Sequence, residues 1–418
     1  MYPERLRILV SSLFGMLLVS WLPLASASPP ELSSMDAASA YASEVWEQTH
    51  GRAYEVRREG LHRATTSMGS SMTSIDVYGA PAFGVREDAG DFYEFGATMS
   101  FEVGPGFRRA VAAYHLQADA VTSAAEAERW AFVSQAQALY ADFQAHSGVV
   151  TTLQAERAAL EELARTWRAA TQEHVASLDV MDLEAELALL SHALVEASLA
   201  LRDAESSLQT HFGQAITVGQ DTQLLGASAS ASANPWAAVH SDDAELPELR
   251  ALEARARQSE AEALRDRARQ YGLSVGAYTM WTGQNDAQIG PVFELSIPIA
   301  PAAGDTVATA RAEAIAIRTE RQLRAQALTL WMQNEASLYD TLLDALQRIE
   351  AETLPQLEAR VRAIETAHTQ GHLPAQRLLL ARRDLLEAQR QAIRLRARLA
   401  TSHANAAGIQ ALTEAREP

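Results

Sequence analysis

The sequence has 418 residues, a formal charge of −18 and no cysteine, and all 35 of its basic residues are arginine. Without cysteine there is no disulfide, thiolate metal ligand, cysteine nucleophile or lipid-accepting N-terminal cysteine. The acidic balance, with no basic stripe interleaved with aromatics, excludes the electrostatic footprint of nucleic-acid binding.

Residues 1–27 read as an export signal. Arg5 and Arg7 supply a positive start, Ile8 to Leu22 is apolar, and Ala25-Ser26-Ala27 fits a small-x-small cleavage site. No later stretch approaches the roughly 20 apolar residues of a membrane-spanning helix, so any crossing falls to strands. A first repeat is expected over 28–217, opening with a helix from about Met35 to Glu59 and a loose segment from Thr65 to Thr73. A polar lead-in to a strand accounts for His62, Met68 and Met72 without a soft-metal site.

Two strands follow, at about 74–85 and 92–103. In the first, Ile75, Val77, Gly79, Pro81, Phe83 and Val85 fall on one face, and Asp76, Tyr78, Ala80 and Ala82 on the other. Pro81 removes a ladder donor and marks an edge or a bulge. In the second, Tyr93, Phe95, Ala97, Met99, Phe101 and Val103 alternate with Glu94, Gly96, Thr98, Ser100 and Glu102, the period of a strand with one apolar face. The polar turn from Arg86 to Asp91 joins the two as a hairpin.

After the breaker Gly104-Pro105-Gly106 the period changes, and a helical hairpin is predicted over about 105–212. Only Gly148 interrupts Phe107 to Gln172, which as a helix is a rod on the order of 100 Å long. A reversal near His174 to Leu178 leads into Leu183, Leu187, Leu190, Leu194, Ala197 and Leu201. Their alternating steps of four and three are a coiled-coil seam, whose partner is the end of the rod through Leu153, Leu160, Leu163 and Trp167. A Gly/Ser/Ala-rich linker lies within 218–247.

The second repeat, 248–418, follows the same order. A helix from Leu249 to Arg269 leads to strands at about 273–281 and 291–300, with the polar stretch Thr282 to Gln288 as their turn. A helical hairpin over about 305–410 completes it. Trp331, Leu338, Leu342, Ala345 and Ile349 form its stripe, and Pro355 is expected to kink it. Gly371-His372-Leu373-Pro374 reverses the chain into a seam of Leu378, Ala381, Leu385, Ala388, Ala392, Leu395 and Leu399. Leu178 aligns with Leu373, Leu183 with Leu378 and Leu190 with Leu385, about 195 residues apart, a duplicated fold rather than a short-period solenoid.

Strands of this length suit a tilted bilayer crossing, and Tyr93, Phe95, Phe101, Trp281 and Phe293 are the lipid-facing aromatics expected on them. Yet four strands are too few to close a barrel, and an open sheet leaves backbone donors unpaired in lipid. Several chains sharing one barrel, continued by the rods as a helical tube, resolve the conflict.

The order and motifs resemble the TolC-like outer-membrane efflux proteins. The resemblance rests on the strand-to-rod junctions Phe95–Arg108 and Phe293–Thr306 and on the reversals Ala176–Leu183 and Gly371–Leu378. The second reversal keeps the family's Gly371, Leu373 and Leu378; the first keeps Leu178, Asp182 and Leu183 but has Ala176 in place of glycine. The resemblance implies a mainly α fold with a small β part, in two repeats of helix, β-hairpin and long helical hairpin. Three such chains would build a twelve-stranded outer-membrane barrel continued by a periplasmic α-helical barrel. It also implies a passive channel-tunnel subunit of a tripartite efflux or type I secretion system. Its partners would be a homotrimer, a periplasmic adaptor, an inner-membrane pump and outer-membrane lipid. On this resemblance Leu178, Gly371 and Leu373 form the adaptor-docking tip. Asp182 and Arg377 form a gate, with Arg377 and Leu380 standing where relatives carry acids. The histidines lack metal-ligand spacing and no catalytic constellation is found, so neither enzyme activity nor a cofactor is expected. The alternative, a soluble periplasmic coiled-coil adaptor or scaffold, explains the signal and the rods but not two matched strand–rod halves.

Overall fold

The structure is a computed structural model that describes residues 30–67, 72–82, 92–101, 105–171, 177–219, 234–239, 246–268, 272–282, 286–296 and 304–414. The export signal over 1–27, the turn from Arg86 to Asp91, most of the linker and the first reversal at 172–176 lie outside the described residues.

The first repeat opens on strand β1 (Glu31–Leu32) and helix α1 (Met35–Trp46). Ser34 caps α1, its hydroxyl accepting from the amide of Ala37 at 3.1 Å. The helix passes through a wide π turn at Glu47–Gly51 into α2 (Arg52–Ser67). Strands β2 (Met72–Ala82) and β3 (Phe92–Phe101) follow. Helix α3 (Pro105–Thr171) then runs 67 residues without a break, about 100 Å at the helical rise. Pro105 stands at its first position, where a missing amide costs nothing, and Gly148 is carried through beside Val149 and Val150, which are buried in the core. Helix α4 (Ser177–Phe212) returns alongside α3 to strand β4 (Thr217–Val218). Strand β4 pairs in parallel with β1, so the two ends of the repeat are tied together part-way along the rod.

The second repeat contains a 3₁₀ turn (Pro235–Ala238), α5 (Pro247–Ala268), β5 (Gly272–Thr282), β6 (Asp286–Ser296) and α6 (Gly304–Arg348). A second π turn at Ile349–Thr353 leads into α7 (Leu354–Thr369), and α8 (Ala375–Glu414) returns beside it. Pro355, expected to kink the rod, stands in the first turn of α7, just past the π turn. The four long strands form one antiparallel sheet in the order β2-β3-β5-β6. The helices that continue it pack in the same order, α2 against α3, α3 against α5 and α5 against α6. Pro81 and Pro291 both fall on edge strands, the place in a sheet where proline is tolerated.

Two expectations need correction. The fourth strand starts at Asp286 rather than near 291, and Trp281 pairs with Ala287 and Thr282 with Asp286. Only residues 283–285 therefore separate the two strands. Asp286 and Gln288 belong to the polar face of a period-two strand, and their polarity mimicked a loop. In α6 the buried stripe is Met332, Tyr339, Leu342 and Leu346, whereas Leu338 is exposed. Steps of seven from Met332 hold one face, and Leu338 sits about 100° round the helix from Tyr339.

The apolar core is a chain of three clusters along the rod. One joins α1, α3, α4 and the short β1–β4 ladder around Leu32, Tyr140, Leu208 and Phe212. A second seats Trp236 of the 3₁₀ turn on α6 and α8. There the Trp236 indole donates to Ser402 Oγ at 3.0 Å, and Asn234 donates to Asp340 at 2.9 Å. The third fills the far end, where both helical hairpins meet.

Candidate channel surface and helical tip

The sheet register decides which strand residues share a face. Tyr93 pairs with Trp281, Phe95 with Thr279 and Phe101 with Leu273, while Val275 pairs with Phe293. Directly opposed residues of an antiparallel pair stand on the same side of the sheet. The five aromatic positions therefore occupy one face, together with Ile75, Val77, Met99, Ile289 and Leu295. The opposite face carries Asp76, Tyr78, Glu94, Thr98, Tyr278, Gln288 and Glu294. The sheet is thus apolar on one side and polar on the other, and β2 and β6 have no partner along their outer edges among the described residues. No described helix is long and apolar enough to cross a membrane.

At the other end the seams are built as the heptads dictate. Leu183 and Leu190 of α4 and Leu153, Leu160 and Trp167 of α3 are buried, with Leu163, Leu187, Leu194 and Leu201 packed against them. In the second hairpin Leu378 and Ala381 are fully buried. Both hairpins contribute to one cluster, so the tip is a four-helix unit rather than two independent coils.

The second reversal is a Schellman turn. Gly371 takes φ +77°, its amide donates to the His368 carbonyl at 2.8 Å, and the His372 amide donates to Ala367 at 2.9 Å. Only glycine enters that left-handed conformation without penalty. Leu373 emerges from the turn 36% exposed, and Leu178 of the first reversal is 68% exposed. Met181 and Leu380, which were not expected on the tip surface, are also exposed on the helices that leave the reversals. Asp182 and Arg377 lie one turn inside their reversals, and within one chain no ion pair joins them among the described residues.

Charged contacts that the sequence did not disclose lock one hairpin to the other. Arg382 of α8 reaches Glu156 of α3 at 3.3 Å and Glu365 of α7 at 3.7 Å, and its side chain is only 17% exposed. Arg383 pairs with Glu186 of α4 at 2.6 Å; this hydrogen bond raises the Arg383 pKa above its ordinary value. The His368 ring lies 4.7 Å from Trp167, and its Nδ1 lies 2.9 Å from the Leu373 carbonyl, which can only accept. Among the described residues no group of three acidic or histidine side chains is placed to hold a metal ion.

No protein-family model matches the sequence, and no curated protein does. Solved structures do match its fold. CusC, described in terms of folding and transmembrane channel formation, is 13% identical with a TM-score of 0.71, over 89% of this chain and 91% of that one. The outer membrane protein VceC of Vibrio cholerae is 14% identical at a TM-score of 0.70, over 90% and 96% of the two chains. The open-state MtrE outer membrane channel of Neisseria gonorrhoeae is 14% identical at 0.68, over 91% and 89%. At these identities the likeness is one of fold, and the chain has the mainly helical fold of TolC-like outer-membrane channels.

Proposed function

We propose that the chain is one subunit of a homotrimeric outer-membrane channel-tunnel, a passive conduit in a tripartite efflux or type I secretion system, exported by a cleaved signal over 1–27. The observation that carries this reading is the four-stranded sheet with one apolar face and two open edges, whose strands run in register order into the long helices. In lipid those edges must be paired, and identical copies offer complementary ones: β6 of one against β2 of the next, giving twelve strands in three chains. Uncovered apolar residues on the flanks support the same assembly. Ile315, Leu323 and Leu330 on α6, and Leu189, Val195 and Leu199 on α4, are exposed in the single chain, where a soluble monomer keeps such side chains scattered.

The aromatic face meets lipid, with Tyr93, Phe95, Phe101, Trp281 and Phe293 on it. The helical tip, with Leu178, Gly371 and Leu373, meets a periplasmic adaptor that couples the tunnel to an inner-membrane pump. Asp182 and Arg377, unpaired with each other within one chain, pair across the tunnel mouth between copies. Substituting Arg377→Asp is expected to change ion selectivity and gating of the conductance; unchanged values remove the gate. Membrane fractionation tests the whole reading. The mature chain is expected in the outer membrane as a trimer that resists denaturation in mild detergent. A monodisperse monomer in detergent-free buffer would instead make it the soluble periplasmic coiled-coil protein.

A further inference from the structure

The polar face of the sheet is ordered in rows. Across the strands, the register aligns residues into rows separated by two residues, about 7 Å. Starting from the rod side, the first row is Ser74, Ser100, Ser274 and Glu294, and the second is Asp76, Thr98, Gly276 and Val292. The third is Tyr78, Gly96, Tyr278 and Gly290. The fourth is Ala80, Glu94, Met280 and Gln288, and the fifth is Ala82, Phe92, Thr282 and Asp286. Each row but the middle one contains a single carboxylate position. The middle row alternates tyrosine with glycine instead. None of the four strands, as described, contains an Arg or a His, although Arg is frequent throughout the helices.

Two features of the middle row call for a reason. Glycine inside a strand costs stability and contributes nothing to pack, so two in one row mark a place where something must come close. Tyr278 stands between Gly96 and Gly290, and Tyr78 on the edge strand stands beside Gly96, so each has backbone without a Cβ next to it. Both tyrosines also stand on the face opposite the aromatic lipid side, so lipid anchoring does not explain them.

We infer that this row is a selectivity element for organic cations carrying an aromatic or alkylated ammonium group. The inference rests on the trimeric-barrel reading, under which the polar face lines the pore and the row becomes six tyrosines, two from each chain, around the middle of the tilted strands. Carboxylate rings below and above it admit cations and turn back anions. The tyrosine row then discriminates among cations, since an alkylated ammonium is held by aromatic faces while a hydrated metal ion keeps its water.

Purified full-length protein in planar bilayers tests this. In a KCl gradient the wild type is expected to pass K⁺ in preference to Cl⁻. Benzyltrimethylammonium is expected to block the current, and benzenesulfonate, an anion of similar size, is not. Replacing both tyrosines (Tyr78→Leu with Tyr278→Leu) should raise the half-blocking concentration about three- to tenfold, with the K⁺/Cl⁻ ratio unchanged. The double Tyr→Phe variant keeps the block. Neutralising Asp76→Asn with Glu294→Gln should lower the K⁺/Cl⁻ ratio. Block that survives in the leucine variant, or an anion-preferring wild type, overturns the inference while leaving the channel intact. If the double leucine variant does not assemble, Tyr278→Leu alone decides, and an unchanged block overturns the inference. Trimers that insert but never conduct, or a protein that does not insert, overturn the channel reading itself.

Discussion

Replacing Leu178 and Leu373 together by asparagine separates docking from folding. Neither residue belongs to the buried seam: Leu178 is 68% exposed and Leu373 36% exposed. Substitutions at such positions usually change stability by no more than about 0.5 kcal/mol. A fully buried leucine contributes about 1.5–3 kcal/mol. If an adaptor covers what is now exposed, the two side chains together supply about 1.5–3 kcal/mol per copy. Across three copies that is enough to reduce affinity by a thousandfold or more. The expected result is a double variant that reaches the outer membrane as a trimer in normal amount but no longer co-purifies with its adaptor after mild crosslinking. Undiminished co-purification would refute the argument, because the apolar tip would then be a surface with no partner. Loss of the trimer would refute it from the other side, showing that these leucines serve folding.

Further outcomes follow from the tip and the middle of the rod. Leu378→Ala, at a fully buried seam position, should cost about 2–4 kcal/mol and show as faster amide exchange in α7 and α8 with the sheet unchanged. Gly371→Ala forces a Cβ into φ +77° and should cost about 1–2 kcal/mol, with Gly371→Asn milder when both are compared by thermal unfolding. Arg382→Ala strands Glu156 and Glu365 beside an apolar cluster; a loss of about 1–2 kcal/mol is expected, read as new protease sensitivity near the tip. His211 stacks on Phe132 at 4.1 Å and donates from Nε2 to its carbonyl at 3.1 Å, and burial holds its pKa below the ordinary 6.5. A base with a depressed folded pKa must be protonated against that burial, so stability is full above pH about 6.5 and falls as pH drops below it. Unfolding temperature between pH 7 and 5 should therefore decline less in His211→Phe than in the wild type.

The sequence disclosed most where a period repeats. The alternation from Tyr93 to Phe101 and the heptads from Leu183 and Leu378 each specify a face, and a face is what burial in a sheet or a coil selects. It disclosed less where one element serves two neighbours. Helix α6 packs on α5 near the sheet and on α8 lower down, so no single stripe describes it and Leu338 falls outside. Asp286 and Gln288 read as a turn because polarity marks both a loop and the wet side of a strand. The Arg382–Glu156 and Arg383–Glu186 pairs and the Trp167–His368 contact join residues far apart in the chain. They depend on how one hairpin is rotated against the other, which no local pattern encodes. The exposed positions at the two reversals were legible because apolar residues stand where the chain turns.

The two repeats are not mechanical equals. Helix α3 runs unbroken for 67 residues, whereas its counterpart is divided into segments of 45 and 16 by the π turn at Ile349–Thr353. A slender beam flexes where its section is weakest, and a widened helical turn is such a section. Axial load along the first repeat is transmitted end to end. The same load along the second is taken up as bending at one joint, restrained by Arg396 of α8 gripping Glu350 at 2.7 Å. Of the two long helices, only the second thus has a joint, so its tip end is able to bend there while its end at the sheet stays still.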